Sequence, residues 1–330
     1  MVSEGDVKAR GQAGSEPVIR EPHTRSKPYR FDMEPEHAGT AAAAPAEDLS
    51  DRAGLDEDLL GLHLPLPAPA DGTTETSRLD YTHFSVLMRR DRRLAADTGV
   101  GIDGAKLFDL DRAGIPWRLD PRLPADQQVG EAVYAHNDLD RGHLVRRADA
   151  VWGDTEAEAQ QGNTDTFHYT NAAPQAAKFN QGELLWAGLE NYLLDNAATY
   201  DRRLVVFTGP VLAANDPSYR GVQLPLRFFK VAAFLDSDQH GTQLAATGYV
   251  LDQTPLIHDL PGAVARAQAA GEPPPLGPFR TFQVPISDIA GHTGLDLAQL
   301  TAVDRFARGG TSARTMSRWI ELHSLSDITL

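Results

Sequence analysis

The chain has no cysteine in its 330 residues. That excludes a disulfide framework and any thiolate metal site. It has no apolar run approaching eighteen residues, which leaves a membrane-spanning helix without a candidate. It begins Met1-Val2-Ser3-Glu4-Gly5-Asp6, with neither a basic leader region nor an apolar one behind it. A secretory signal peptide is therefore not expected. The composition fits a cytoplasmic start, and export by a specialised apparatus would look the same. No Gly-x-x-x-x-Gly-Lys-Ser/Thr element occurs, so an ATP-driven enzyme has no support. Positive charge is also short: 31 Lys and Arg against 46 Asp and Glu give a formal net charge of −15. The surface as a whole is unsuited to non-specific capture of polyanions. A local basic groove is still compatible with that total, because arginines recur at Arg89-Arg90, Arg92-Arg93, Arg118, Arg122, Arg141 and Arg146-Arg147. What the chain does have is ordinary for a water-soluble globule: 41% hydrophobic and 23% charged residues.

Residues 1–77 read as a flexible, acidic N-terminal extension. Ala41-Ala42-Ala43-Ala44-Pro45 and the Pro-rich run from Pro65 to Ala70 carry few bulky side chains, too few to offset the entropy of ordering. The exception is Leu55 to Leu62, a leucine-bearing acidic piece suited to a short helix or to docking on a partner. Residues 78–330 form the second expected unit. Leu79 to Met88 alternates like a first strand, and Leu94 to Ile102 like a second, closed by the turn signal Asp103-Gly104. Arg203 to Leu212, Phe228 to Leu235, Leu244 to Leu251 and Phe282 to Ile286 are further strands, with a capped helical turn at Ser287 to Ala290. Between Asn180 and about Ala198, Leu184, Leu185, Leu189, Tyr192 and Leu193 recur at helical spacing. Strands outnumber helices and do not alternate with them. The expected class is α+β, a mostly antiparallel central sheet flanked by helices.

Chemistry concentrates at Asp140-Arg141-Gly142-His143. An imidazole with a pKa of about 6.5 can take a proton from water near neutral pH. Arg141 beside it can neutralise an anion. Asn180 offers one oxygen to a hard divalent cation, and Glu190 on the following helix could accept hydrogen bonds from its waters. On spacing alone a plainer reading stays open, with His143 a surface-loop histidine and Asn180 a helix N-cap. His136-Asn137-Asp138 reads as a polar approach to this loop and His83 as structural.

Three elements in order change the balance. Asp140-Arg141-Gly142-His143 is followed by Thr170-Asn171-Ala172-Ala173-Pro174-Gln175, then by Asn180 ahead of Trp186-Ala187-Gly188-Leu189-Glu190. This set resembles the DNA/RNA non-specific endonuclease family, the endonuclease G-like ββα-metal nucleases, over roughly residues 78 to 310. Asn180 stands ten positions before Glu190, a longer spacing than in familiar members, and no arginine follows at Asn191 to Leu194. The resemblance implies a ββα-metal motif in which His143 is the general base and Asn180 the direct ligand of Mg2+ (or Mn2+). It implies that Arg141 contacts the phosphate, that Glu190 holds metal-bound water, and that Asn171 shapes the local backbone. It further implies hydrolysis of DNA and RNA to 5′-phosphate products, and a homodimer. The alternative is a nucleic-acid-binding or regulatory module on the same fold with little catalysis. For residues 1–77, two roles are open: a passive tail, or an acidic segment through which restraint, an inhibitor or an activating partner acts.

Overall fold

The computed structural model describes residues 47–111, 114–176, 181–238, 241–255, 258–277, 279–308 and 319–328. Its strands are β1 (Thr76–Asp80), β2 (Phe84–Arg89), β3 (Leu94–Asp103), β4 (Leu139–His143), β5 (Ala172–Ala176), β6 (Arg203–Pro210), β7 (Ser218–Tyr219), β8 (Val222–Gln223), β9 (Arg227–Asp238), β10 (Gly241–Asp252), β11 (Arg280–Val284) and β12 (Ile320–Glu321). The α-helices are α1 (Glu131–Tyr134), α2 (Glu156–Asp165), α3 (Gln181–Thr199), α4 (Leu260–Ala270), α5 (Ile286–Thr293), α6 (Ala298–Thr301) and α7 (Arg305–Arg308). Among the described residues, eight strands make one sheet in the order β1-β2-β3-β6-β9-β10-β11-β12. Each neighbouring pair in it is antiparallel. The expected α+β class with an antiparallel sheet is what the chain adopts. No helix among the described residues is long and apolar enough to cross a membrane.

The sheet is the middle of three layers. Along β6, Leu204 and Val206 enter one hydrophobic cluster while Val205 and Phe207 enter the other. That strand reads as a continuous apolar run because both of its faces are buried. On the first face lie β4, β5 and α3, through Leu139, Leu144, Ala173, Leu189, Leu193 and Ala197. On the second lie Ile286 and Ile289 of α5, Leu300 of α6, and five leucines from the chain ahead of β1.

Those leucines come from a stretch read as a flexible extension. Leu55, Leu59, Leu60, Leu64 and Leu66 are buried against the second face, and Leu49 against the first. Gly101 of β3 makes room for them: a Cβ there would come within 2.7 Å of a Leu59 methyl. Charged clips reinforce the packing. Arg52 donates to Asp165 at 2.7 Å, and Glu47 accepts from Arg118 at 2.6 Å. Leu55 to Leu62 was the expected exception, as a short helix or a docking piece; it docks, and the surface it docks on is this chain's own sheet, remote in sequence. Residues 1–46 lie outside the described part. A cut at residue 77 would strip core leucines as well as any regulatory tail, so it cannot isolate a restraining role.

One local difference, and one stretch left open between loop and helix, have simple causes. The strand expected over Leu79–Met88 is broken into β1 and β2 by a turn in which His83 takes a left-handed φ of 70°. Its ring stacks on Trp152 at 3.7 Å and its Nε2 meets the Trp152 carbonyl at 2.9 Å, which holds the turn and fits a structural histidine. The polar stretch after Gly153 forms α2, with the Thr155 hydroxyl accepting from the Glu158 amide as an N-cap.

Leu59→Ala is expected to lower stability by about 2–5 kcal/mol, measured as a shift in the urea midpoint at unchanged slope. An unchanged midpoint would remove this segment from the core.

Candidate active site

β4 and β5 pair antiparallel as a separate two-stranded sheet, with Arg141 opposite Pro174, Gly142 opposite Ala173 and His143 opposite Ala172. The next regular element after β5 is α3, so the chain makes a ββα unit. Gly142 leaves room for its neighbour: a Cβ at that position would sit 2.1 Å from the Gln175 side-chain carbon, so the Gln175 amide would have to move. Two of the recognised sequence elements thus interlock through one glycine and one glutamine.

The backbone leaving His143 is held by Asn171. Its side-chain oxygen accepts from the Val145 amide at 2.8 Å, and its amide nitrogen donates to Val145 O at 2.9 Å and Thr166 O at 3.0 Å. Its own carbonyl accepts from Leu144 N at 2.9 Å. Asn171 is fully buried, so it acts on the backbone and has no open face toward a ligand. Its place is that of a positioning residue.

The His143 ring sits in an aromatic wall. Trp117 lies 4.6 Å away at a 48° tilt, and Phe167 meets the ring edge-on at 5.1 Å. Trp117 also contacts Tyr169, which stacks on Tyr134. These contacts fix the plane of a half-buried imidazole. Arg141 passes over the Tyr134 ring at 5.5 Å and its Nη2 donates to Glu131. The Glu131 oxygen also accepts from the Tyr169 hydroxyl at 2.6 Å. His136-Asn137-Asp138 serves the approach turn, where Asn137 donates to Val133 O at 2.7 Å and accepts from Leu139 N at 2.9 Å.

Glu190 points from α3 toward the sheet. Its Oε1 lies 3.3 Å from the buried Lys230 Nζ, which donates to Thr208 at 3.0 Å. Asp149 is buried close enough to feel both charges. Burial pushes its carboxyl up to about 6, while Arg146 and Lys230 pull it down and Glu190 pushes it up. Arg146 Nη2 reaches Asn191 on α3 at 2.5 Å. A cation thus reaches this turn of the helix from the exit of β4. Of the next arginines along the chain after Glu190, Arg202 stacks on Tyr200 and Arg203 pairs with Asp103.

His143, Arg141 and Asn171 therefore come together on the β4–β5 pair, and Glu190 follows on the helix behind it. Asn180 lies outside the described residues. Among the described residues no three His, Asp or Glu side chains gather where they could hold a metal ion. The described donors thus do not form a protein cage, and Glu190 already shares one oxygen with Lys230. Any divalent ion here would depend on donors beyond those described, on water and on substrate.

Five of the repeated arginines are taken up in ion pairs. Arg89, Arg90, Arg92, Arg118 and Arg122 pair with Asp91, Glu75, Asp216, Glu47 and Asp120. An acidic chain supplies a carboxylate for each. Glu131, Trp117, Asp149 and Lys230 did not stand out as site residues in the sequence.

Residues 66–304 match the profile of the DNA/RNA non-specific endonuclease family. The chain belongs to this family. An uncharacterized protein, y4fB, of Sinorhizobium fredii is 37% identical over 292 residues, covering 81% of this chain. Mitochondrial endonuclease G of Homo sapiens is 30% identical over 199 residues, covering 57% of this chain. The chain spans 42% and 57% of the lengths of these two relatives. A solved structure of an EndoG/EndoGI complex aligns with a TM-score of 0.48 at 19% identity, over 69% of this chain and 87% of that one. In this DNA/RNA non-specific endonuclease family member, Arg141 and His143 lie on β4, paired with β5.

The Asp149 cluster makes a pH prediction. The folded carboxyl titrates near 6 and an unfolded aspartate near 3.9. The folded state therefore holds the proton more tightly, and wild-type stability falls as pH rises between these values. Asp149→Asn cannot ionise. Its advantage over wild type should grow between about pH 4 and pH 7, read from denaturation midpoints at both. A difference independent of pH would show that Asp149 does not titrate upward.

Proposed function

We propose that the chain is a metal-dependent, sequence-non-specific endonuclease that hydrolyses phosphodiester bonds of DNA and RNA. The observation that carries this reading is the His143 and Arg141 pair, held on one strand by Asn171 and an aromatic wall, in a chain of the DNA/RNA non-specific endonuclease family.

In this reading His143 takes a proton from a water molecule and directs the resulting hydroxide at phosphorus, in line with the bond to the 3′ oxygen. Trp117 and Phe167 hold the imidazole plane and exclude bulk water from one side of it. Arg141 supplies hydrogen bonds and positive charge to the non-bridging oxygens, where charge builds in the transition state. Asn171 keeps His143 in register by fixing the two residues after it. The bond to the 3′ oxygen breaks, leaving a 5′-phosphate and a 3′-hydroxyl. Because the residues involved address the backbone, sugar type and base sequence are weakly read. Mg2+ or Mn2+, with Asn180 as the proposed ligand, would neutralise phosphate charge and stabilise the leaving oxygen. Glu190 is the proposed contact for metal-bound water, through the oxygen not paired with Lys230. A homodimer and an inhibitor or activator acting through the N-terminal residues belong to the same proposal.

Plasmid DNA and structured RNA incubated with the protein should be cut in Mg2+ and left intact in EDTA. His143→Ala should lower the rate by at least about 100-fold, the scale of a lost general base. Salt-sensitive binding with no products from the wild type would refute the nuclease reading and leave a binding module.

A further inference from the structure

This inference rests on Arg141 meeting a phosphate. A guanidinium grips a phosphodiester best through two parallel N–H bonds along one edge. The Arg141 edge made by Nε and Nη2 is half engaged. Nη2 donates to Glu131, whereas Nε is buried and has no hydrogen-bond partner among the described residues. The same Glu131 oxygen accepts from the Tyr169 hydroxyl at 2.6 Å. Burial would raise the Glu131 carboxyl, but the hydrogen bonds from Tyr169 and Arg141 hold it below its usual range. It is therefore an anion at neutral pH. Its side chain is 55% exposed, on the four-residue helix α1. What holds it is this pair of hydrogen bonds, from Arg141 and Tyr169, on a side chain otherwise open to water, and an ion pair open to water exchanges readily. Arg141 is itself only 25% exposed and backed by the Tyr134 ring, so it stays in place when its partner leaves.

We propose that Glu131 is a resident anion that competes with a backbone phosphate for Arg141, so that nucleic-acid binding exchanges this carboxylate for a phosphodiester. The exchange frees the Nε–Nη2 edge for bidentate contact. Tyr169, released from Glu131 at the same moment, becomes a second donor beside the phosphate, through its hydroxyl. Glu131 thereby sets a threshold: ligands offering a single weak anion do not displace it, and a polyanion held at several points does.

The test uses the full chain carrying His143→Ala, which prevents cleavage, and a short fluorescein-labelled single-stranded DNA. Affinity is read by anisotropy over a salt series. Adding Glu131→Gln should tighten binding by roughly twofold to fivefold, the equivalent of one surface ion pair. The gain should vanish when Arg141→Ala is also present, since the two side chains act through one contact. Equal or weaker binding by Glu131→Gln would make Glu131 a strut for Arg141 and overturn the proposal. A gain that persists without Arg141 would also overturn it, as a general effect of removing negative charge. If neither the parent nor Glu131→Gln binds at any salt, the nucleic-acid reading beneath it fails as well.

Discussion

The side-chain amide of Asn171 is the contact on which the candidate site depends. It satisfies both backbone groups of Val145 and the carbonyl of Thr166, while its own carbonyl takes Leu144 N. One buried residue thereby ties the exit of β4 to the entry of β5. Each of these groups would cost about 1–3 kcal/mol if left buried and unpaired. The arrangement is stiff because breaking it strands several polar atoms at once. His143 inherits that stiffness, and Trp117 and Phe167 add the side-on contacts that fix its ring.

Electrostatics supplies the second organising rule. In a chain with a net charge of −15, arginines are surrounded by carboxylates, and Arg118, Arg122 and Arg92 are taken up as structural pairs. Arg141 follows the same habit with Glu131. The difference lies in exposure. Asp120 and Asp216 are buried partners, whereas Glu131 stands more than half exposed. A buried pair is costly to split because it leaves a charge without water, and an exposed one is not. Behind the site, Lys230, Glu190 and Asp149 form a buried charge cluster that joins α3 to the sheet.

Much of this could be read from residues alone. β6, β9 and β10 announced themselves by apolar runs, and α3 by leucines at helical spacing. The ordered Asp-Arg-Gly-His and Thr-Asn-x-x-Pro-Gln elements were legible as a resemblance, and the bonds of Asn171 to Val145 give a physical reason for the asparagine among them. Trp117 and Glu131 were not legible. Each reaches the site from a neighbouring loop or short helix, and a single tryptophan or glutamate carries no spacing signal. The leucines between Leu49 and Leu66 were legible only in part: Leu55 to Leu62 stood out as a piece suited to docking, but not the sheet of the same chain as its partner. Their periodicity follows an irregular chain draped over a finished sheet, not the period of a helix or strand.

The central claim is that Asn171 places His143 for chemistry. Single-turnover cleavage by Asn171→Ala, compared with wild type at saturating protein, tests it most directly. The account predicts a cleavage step slowed by at least about tenfold, the cost of a small displacement of a reacting group, with DNA affinity nearly unchanged. A variant that folds and cleaves at the wild-type rate would contradict it.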